Sequence, residues 1–497
     1  MRFPSPGCLV EWRANLPPLR ERWIAALAVI TVITTLWNVS GMAAIPLLIG
    51  TALAAATFAA MFFPMRGSDS SASAKENFRR LLRCPFFWIG AALFAYMLCQ
   101  HLNPSREIIM PETPRGWWKI AYIKNYIAWL PNGVDAPFGT DGNRLAMNAL
   151  RQMCVFGAAW LVLCSLWCGL RSRRLRRWTI WAISINAVLL AVFCLLRWSN
   201  DAAGEFLGYR TGAKSFFGVF SYKNHAAEFF VLSFSLTVAL ALTVWRRNAE
   251  RLKKSGAHIF LAALSLFLWI AALCTASFAG IVEAAAWIIV IPALMLTSGL
   301  MRRSSWIAVG IVTALIGGLA AVWFATADMN ATWGKIETKI SLMKKEEIDD
   351  RAPLRELSMT MFTRNAERER VGWGAGSYRW LAPAFQLQMK EFLNKKNQLQ
   401  TRTEYAHCDP LQMLVEWGAI GGGIAFAGAL WFVAFALRNI RRWRVPSLAL
   451  LCGATFFVAH STMDFVSYNP GLLLTLAVVV AAFKWSLKPV DKKLPSV

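Results

Sequence analysis

Apolar runs of about 20 residues recur along the chain, near 23–41, 43–63, 86–101, 150–169, 178–197, 225–245, 257–275, 278–299, 305–325, 410–437, 447–465 and 468–485. At a rise of about 1.5 Å per residue, each run matches a bilayer's ~30 Å hydrocarbon thickness. The pattern predicts an all-α polytopic membrane protein with about twelve transmembrane helices. Short segments such as "RSRRLRR" (171–177), "RRNAERLKK" (246–254) and "RNIRRWR" (438–444) separate pairs of runs. Basic charge on short loops marks the cytoplasmic side, so the alternation predicts that both termini are cytoplasmic. Trp23, Trp178, Trp198, Trp245 and Trp306 stand at run ends, where an aromatic belt would lie.

Three segments on the outer side are too long for turns: 102–149, 198–224 and 326–408. The first carries "RGWWKIAYIKNYIAWLP", a mixed aromatic and basic stretch suited to lying on the outer membrane surface. The last, a large extracytoplasmic loop, has apolar residues at helical spacing between charges, which predicts helices. On the other side, "GSDSSASAKENFRR" (67–80) reads as a flexible cytoplasmic loop.

Composition changes this picture little. Of 497 residues 57% are hydrophobic, and the net charge of +25 follows the loops and so reports orientation rather than a nucleic-acid partner. The 10 Cys form no CxxC pair, so no zinc site or disulfide framework is expected. The basic N-terminus, followed by an apolar run from Trp23, reads as an uncleaved anchor.

The ionisable residues inside the runs are few: Glu228, Glu283, Glu416, His460 and Asp464. Each falls within about two helical turns of the outer end of its run. Buried charge in a membrane is costly and points to function. A transporter would be expected to place such groups near the midplane. An outer cluster beneath long outer loops suits an enzyme acting on a lipid-carried substrate at the outer leaflet. His460 and Asp464, four apart, share a helix face and are expected to pair.

Four stretches in the second half carry a resemblance. "GVFSYKNHAAEF" (218–229), "RELSMTMFTRNAERERVGWGAGSY" (355–378), "AHCDPLQMLVEWGAIGG" (406–422) and "HSTMDF" (460–465) resemble, in order, elements of the O-antigen ligase and O-antigen polymerase family. Tyr222 stands where the family has the first Asn of N-x-N, leaving Asn224, and "SFAG" (277–280) lacks the family's Arg. The resemblance implies a GT-C-like, metal-independent glycosyltransferase in the bacterial cytoplasmic membrane with its site facing the periplasm. The donor would be a polyprenyl-diphosphate-linked glycan and the acceptor another glycan or lipid A-core, with membrane lipids around it and no cofactor. It divides the chain into N-terminal spans (1–200), a catalytic region (201–470) and a last helix with a tail (471–497). A transporter or flippase of lipid-linked glycans is the alternative.

Such transfer must activate a hydroxyl and stabilise a leaving diphosphate. Arg355 and Arg210, then Arg351 and Lys223, are the candidate diphosphate cations. His407 is the candidate base, because imidazole titrates near neutral pH. Asp409, Pro410 and Gln412 have the spacing of a capping box, with Asp409 as N-cap. Glu416, on the face of Asp409 and Gln412 but well inside the helix, joins His407 as a catalytic candidate. Asn224, Asp409, Gln412, His460 and Asp464 are the supporting set. "GWGAGSY" (372–378) reads as a tight turn before a phosphate cradle.

Overall fold

A computed structural model describes residues 17–63, 73–111, 118–137, 140–141, 144–145, 147–199, 205–210, 216–250, 256–297 and 351–489. The predicted run at 305–325 lies outside these residues, as does the first part, 326–350, of the long segment predicted at 326–408. Helices α1 (Leu19–Trp37), α2 (Ala44–Ala59), α3 (Ala74–Leu82) and α4 (Pro85–Leu102) come first. Strands β1 (Pro104–Ile109), β2 (Lys119–Tyr122) and β3 (Gly133–Asp135) follow, then a two-stranded ribbon of β4 (Thr140–Asp141) and β5 (Arg144–Leu145). Next come α5 (Ala149–Cys164) and α6 (Arg173–Ser199), then the ribbon of β6 (Glu205–Phe206) and β7 (Tyr209–Arg210). After it run α7 (Lys223–Glu250), α8 (Ala257–Cys274) and α9 (Phe278–Thr297). The outer segment supplies α10 (Ala352–Phe362), α11 (Ala366–Val371) and α12 (Tyr378–Gln386). The chain ends with α13 (Asp409–Arg438), α14 (Val445–Ser461) and α15 (Pro470–Ser486).

Among the described residues, 7 helices are long and apolar enough to cross a membrane: α4, α5 extended to Gly169, α6, α7, α8, α9 and α13. The α2, α14 and α15 helices are apolar but shorter. The protein is therefore a mostly helical, membrane-embedded chain. Exposed Trp23, Trp178 and Trp198 sit near helix ends, where the belt is expected.

Lipid is as apolar as leucine, so helix contact in a membrane rests on close packing rather than on exclusion of water. Small residues provide it. A Cβ on Gly280 of α9 would stand 2.5 Å from Ala227 Cβ of α7, and one on Gly453 of α14 would stand 2.1 Å from Ser235 Oγ of α7. Bulk at either position would pry apart the three helices that carry Glu228, Glu283 and His460.

Polar side chains collect at one end of the bundle, where α4 and α14 finish and α5, α7, α13 and α15 begin. At the other end the basic segments meet: Glu21 accepts from the Ser172 backbone N–H (2.6 Å), and Arg442 donates to Lys488 O (2.8 Å). That segregation matches the two-sided charge pattern of the sequence.

Three expectations need correction here. Residues 104–109, 119–122 and 133–135 are strands, an addition to the all-α expectation: they pair as a small sheet of order β2-β1-β3, and Tyr122, Ile127 and Trp129 of the aromatic stretch are exposed. The sheet's Ile108 and Val134 pack with Leu357 and Met361 of α10 and with Trp373, in the loop after α11. An all-α reading misses this sheet because its strands are three to six residues long. Second, residues 74–82 are helical, not loop: the Ser73 side chain caps α3 by accepting from Glu76 N (3.2 Å). Third, the 410–437 run is not one straight helix, since Gly418 (φ 64°) breaks it into Asp409–Trp417 and a longer second piece.

Candidate functional site

The break at Gly418 frees carbonyls that a lipid environment cannot satisfy. The "GWGAGSY" loop and α4 satisfy them. Trp373 N–H donates to Val415 O (2.9 Å) and Gly374 N–H to Glu416 O (2.8 Å). Tyr96 donates to Trp417 O (2.8 Å), and Gln100 to Glu416 O (3.1 Å). Ala375 N–H is taken by Gln100 Oε1 (3.0 Å). Gly372, Gly374 and Gly376 all have positive φ and press backbone against backbone, so side chains are excluded there. With those three N–H groups committed, the loop is a docking turn and not a phosphate cradle.

This turn encloses Glu416. Its carboxylate accepts from Gln152 Nε2, Tyr468 OH (3.0 Å), Gln412 Nε2 (3.3 Å) and Tyr378 N–H (3.3 Å). Trp417 Nε1 locks Gln152 in turn (3.0 Å). Glu416 is fully buried and no contact joins it to His407 among the described residues. The structure does not bring the two catalytic candidates, His407 and Glu416, together: Glu416 is the hub of a closed network that ties α5, α12, α13 and the 466–468 turn together.

The capping expectation is also corrected. Cys408, not Asp409, is the N-cap, and no side chain caps the helix. Asp409 is buried and turns outward to accept from Ser467 N–H (2.7 Å). A buried N–H must find an acceptor, and this one lies in a turn with no helical carbonyl to use. Gln412 reaches back to Ala406 N–H (3.0 Å) while donating to Glu416.

The second polar hub is Asp464. It lies beyond the end of α14, in the turn before α15, so it is not inside a span. It does not pair with the His460 side chain; only its backbone N–H meets His460 O (2.9 Å). Its carboxylate accepts instead from His407 Nδ1 (2.9 Å), Arg351 Nη2 (3.1 Å), Tyr222 OH (3.2 Å), Phe465 N–H (2.9 Å) and Asn224 Nδ2. Burial would raise the Asp464 carboxyl, but the His407 hydrogen bond and the Arg351 guanidinium override it and hold the group well below the ordinary carboxylate range. Asp464 is therefore ionised.

His407 has a left-handed backbone (φ 49°), unusual for a residue with a Cβ. Its ring stands edge-on to Phe465 (5.0 Å between centroids). Phe465 is stacked between Tyr405 (3.9 Å) and Tyr222 (5.0 Å), so the ring that positions His407 is itself clamped. An ionised Asp464 can only accept, so His407 Nδ1 is the proton-bearing nitrogen, and in the neutral imidazole the lone pair is then on Nε2. The His407 and Arg351 side chains are 27% and 24% accessible over a 1% accessible Asp464. The hub thus offers a base and a cation outward and buries the anion that orients both.

The other predicted cations separate. Arg355 opens α10 one turn after Arg351, half-buried, and its charge opposes the upward push of burial on the Cys408 thiol. Lys223 donates to Ala276 O (3.2 Å), toward the α8–α9 turn. Arg210 lies in β7, and its side chain falls outside what the structure describes. Asn224 belongs to the Asp464 hub, and it also donates to Tyr222 OH (2.9 Å).

His460 meets Glu228 and Glu283 rather than Asp464 (3.0 and 3.2 Å from Nδ1). Sequence reasoning missed Tyr222, Tyr405, Phe465, Gln152 and Tyr468. Tyr222 was visible only as a departure from the family's Asn, and Gln152 as a lone amide in an apolar run. Compared with known proteins, the chain matches no family model and no curated protein.

Proposed function

We propose that the protein is a membrane glycosyltransferase that moves or polymerises glycan from a polyprenyl-diphosphate carrier at the outer face of the bacterial cytoplasmic membrane. One observation carries the reading: a buried Asp464 accepts from both His407 Nδ1 and the Arg351 guanidinium, and both of those side chains are partly exposed. The resemblance of four sequence elements supplies the substrate class, and the hub draws residues from three of them: Tyr222 and Asn224, His407, and Asp464. Arg351 joins from just ahead of the fourth.

In this reading the acceptor hydroxyl binds against His407 Nε2. As its oxygen forms the new bond to the sugar's anomeric carbon, the bond from that carbon to the diphosphate oxygen breaks. The hydroxyl proton passes to His407, and the diphosphate leaves with the bonding electron pair. Imidazolium next to ionised Asp464 is stabilised as it forms. Arg351, with Arg355 one turn along α10, meets the leaving charge. Glu416 keeps the outer piece of α13 fixed behind His407, a positioning role. The acceptor is a second glycan or lipid A-core.

The test is purified full-length protein in lipid nanodiscs with a polyprenyl-diphosphate glycan and a hydroxyl acceptor. Transfer should yield glycosylated acceptor together with free polyprenyl diphosphate. Passage of intact lipid-linked glycan across a proteoliposome membrane, with no bond formed, would instead establish the flippase reading and end this one.

A further inference from the structure

The proposed transfer chemistry makes no use of His460, Glu228 and Glu283. These three come from α14, α7 and α9, and all sit near the end of the bundle that holds the Asp464 turn. His460 and Glu228 are fully buried and Glu283 nearly so. One ligand atom from each lies within 4.8 Å of the others, and His460 Nδ1 stands 3.0 Å from Glu228 Oε2 and 3.2 Å from Glu283 Oε1. Two carboxylates facing each other in a dry interior need a cation or a proton between them. Among the described residues Glu228 Oε1 and His460 Nε2 have no hydrogen-bond partner. Hydrogen bonds within the triad therefore leave buried capacity unused.

We propose that this triad is a site for a divalent transition-metal ion of the zinc or manganese class, bound by one imidazole and two carboxylates. Bonds of about 2.0–2.2 Å place neighbouring ligand atoms about 3.0–3.4 Å apart, which is the spacing of both His460–carboxylate pairs. The donor set favours such an ion over calcium or magnesium, which take oxygen alone. A dication also balances two ionised carboxylates beside a neutral imidazole. One protein nitrogen and two oxygens leave a coordination position over, which bidentate binding by Glu228, whose Oε1 has no hydrogen-bond partner among the described residues, would fill.

Packing prepares the site. Gly280, three residues before Glu283, brings α9 onto Ala227 of α7, the residue before Glu228. The ion would staple α7, α9 and α14 just below the turn that carries Asp464. It lies apart from the transfer site, for which the sequence implies no metal, and its existence does not depend on the transfer reading.

The test is metal content of full-length protein purified with a histidine-free tag, incubated with Zn²⁺ or Mn²⁺ in nanodiscs, desalted and measured by elemental mass spectrometry. Wild type should retain about one ion per chain. Glu283→Gln and Glu228→Gln should each weaken retention about tenfold or more, whereas His407→Ala should keep the ion. X-ray absorption on the metal-loaded wild type needs no variant and should report nitrogen and oxygen ligands without sulfur. Retention below about a tenth of an ion per chain, with a melting temperature indifferent to Zn²⁺, Mn²⁺ and chelator, would overturn the site in favour of a triad neutralised by protons alone. Sulfur ligation would overturn it equally.

Discussion

Asp464 and Glu416 are both buried carboxylates that accept from four or more donors at the same end of the helix bundle, and they do opposite things. Every donor on Glu416 is neutral: two amides, a phenol and a backbone N–H. None of them is exposed to a ligand, and the network joins elements that would otherwise separate at the Gly418 break. Asp464 instead holds two groups that carry or can carry charge, His407 and Arg351, and both reach the surface. A closed neutral shell spends a carboxylate on architecture. An open, charged shell orients groups that reach the surface. The left-handed backbone at His407 belongs to the second kind, since strain of that sort persists only where neighbours enforce it.

Breaking each hub should therefore produce different losses. His407→Ala should cut transfer by about 10²–10⁴-fold, while its stability loss stays within the about 1.5–3 kcal/mol of one hydrogen bond to a charged group, checked by an initial-rate assay beside thermal unfolding. Glu416→Ala should do the reverse. It strands four buried donors and should cost about 3–5 kcal/mol of stability, seen as a large fall in melting temperature. Activity per folded molecule should survive, and Glu416→Gln should recover much of the stability.

Smaller effects sharpen the contrast. Tyr222→Phe removes one hydrogen bond to an ionised carboxylate, worth about 1.5–3 kcal/mol at most, and should slow transfer by about tenfold. The pH dependence of stability has a definite sign. Because the folded-state Asp464 carboxyl lies below its unfolded value, its contribution is complete above the ordinary carboxylate range. It is lost as pH falls through that range toward the folded value. Thermal stability should be level from about pH 7 to 5 and decline below about pH 4, with Asp464→Asn flattening that decline.

Much of this was legible in the residues, though unevenly. Apolar runs locate the helices because the bilayer fixes their length, and the shared bias of Glu228, Glu283, Glu416 and His460 toward one end of their runs marks the polar end of the bundle. His407 and Asp464 were each identifiable as unusual polar groups. Their pairing was not, because it joins residues 57 apart through a turn whose geometry depends on Phe465 and on His407 entering the left-handed region. Helical spacing suggested His460–Asp464, but α14 ends at Ser461 and the relation no longer applies. Asp409 read as a cap because local spacing contains no trace of Ser467, 58 residues away. The sheet of residues 104–135 escaped for a similar reason: its short strands are held by contacts with α10 and Trp373, not by a local alternation.

The central claim is that His407 and Asp464 act as one unit in bond formation. A double-mutant cycle on the transfer rate tests it most directly, using His407→Ala, Asp464→Asn and the combination in the same nanodisc assay. The account predicts that Asp464→Asn alone slows transfer at least about a hundredfold, and that adding it to His407→Ala costs almost nothing further. Wild-type rates for Asp464→Asn, or losses that multiply independently in the double variant, would contradict it.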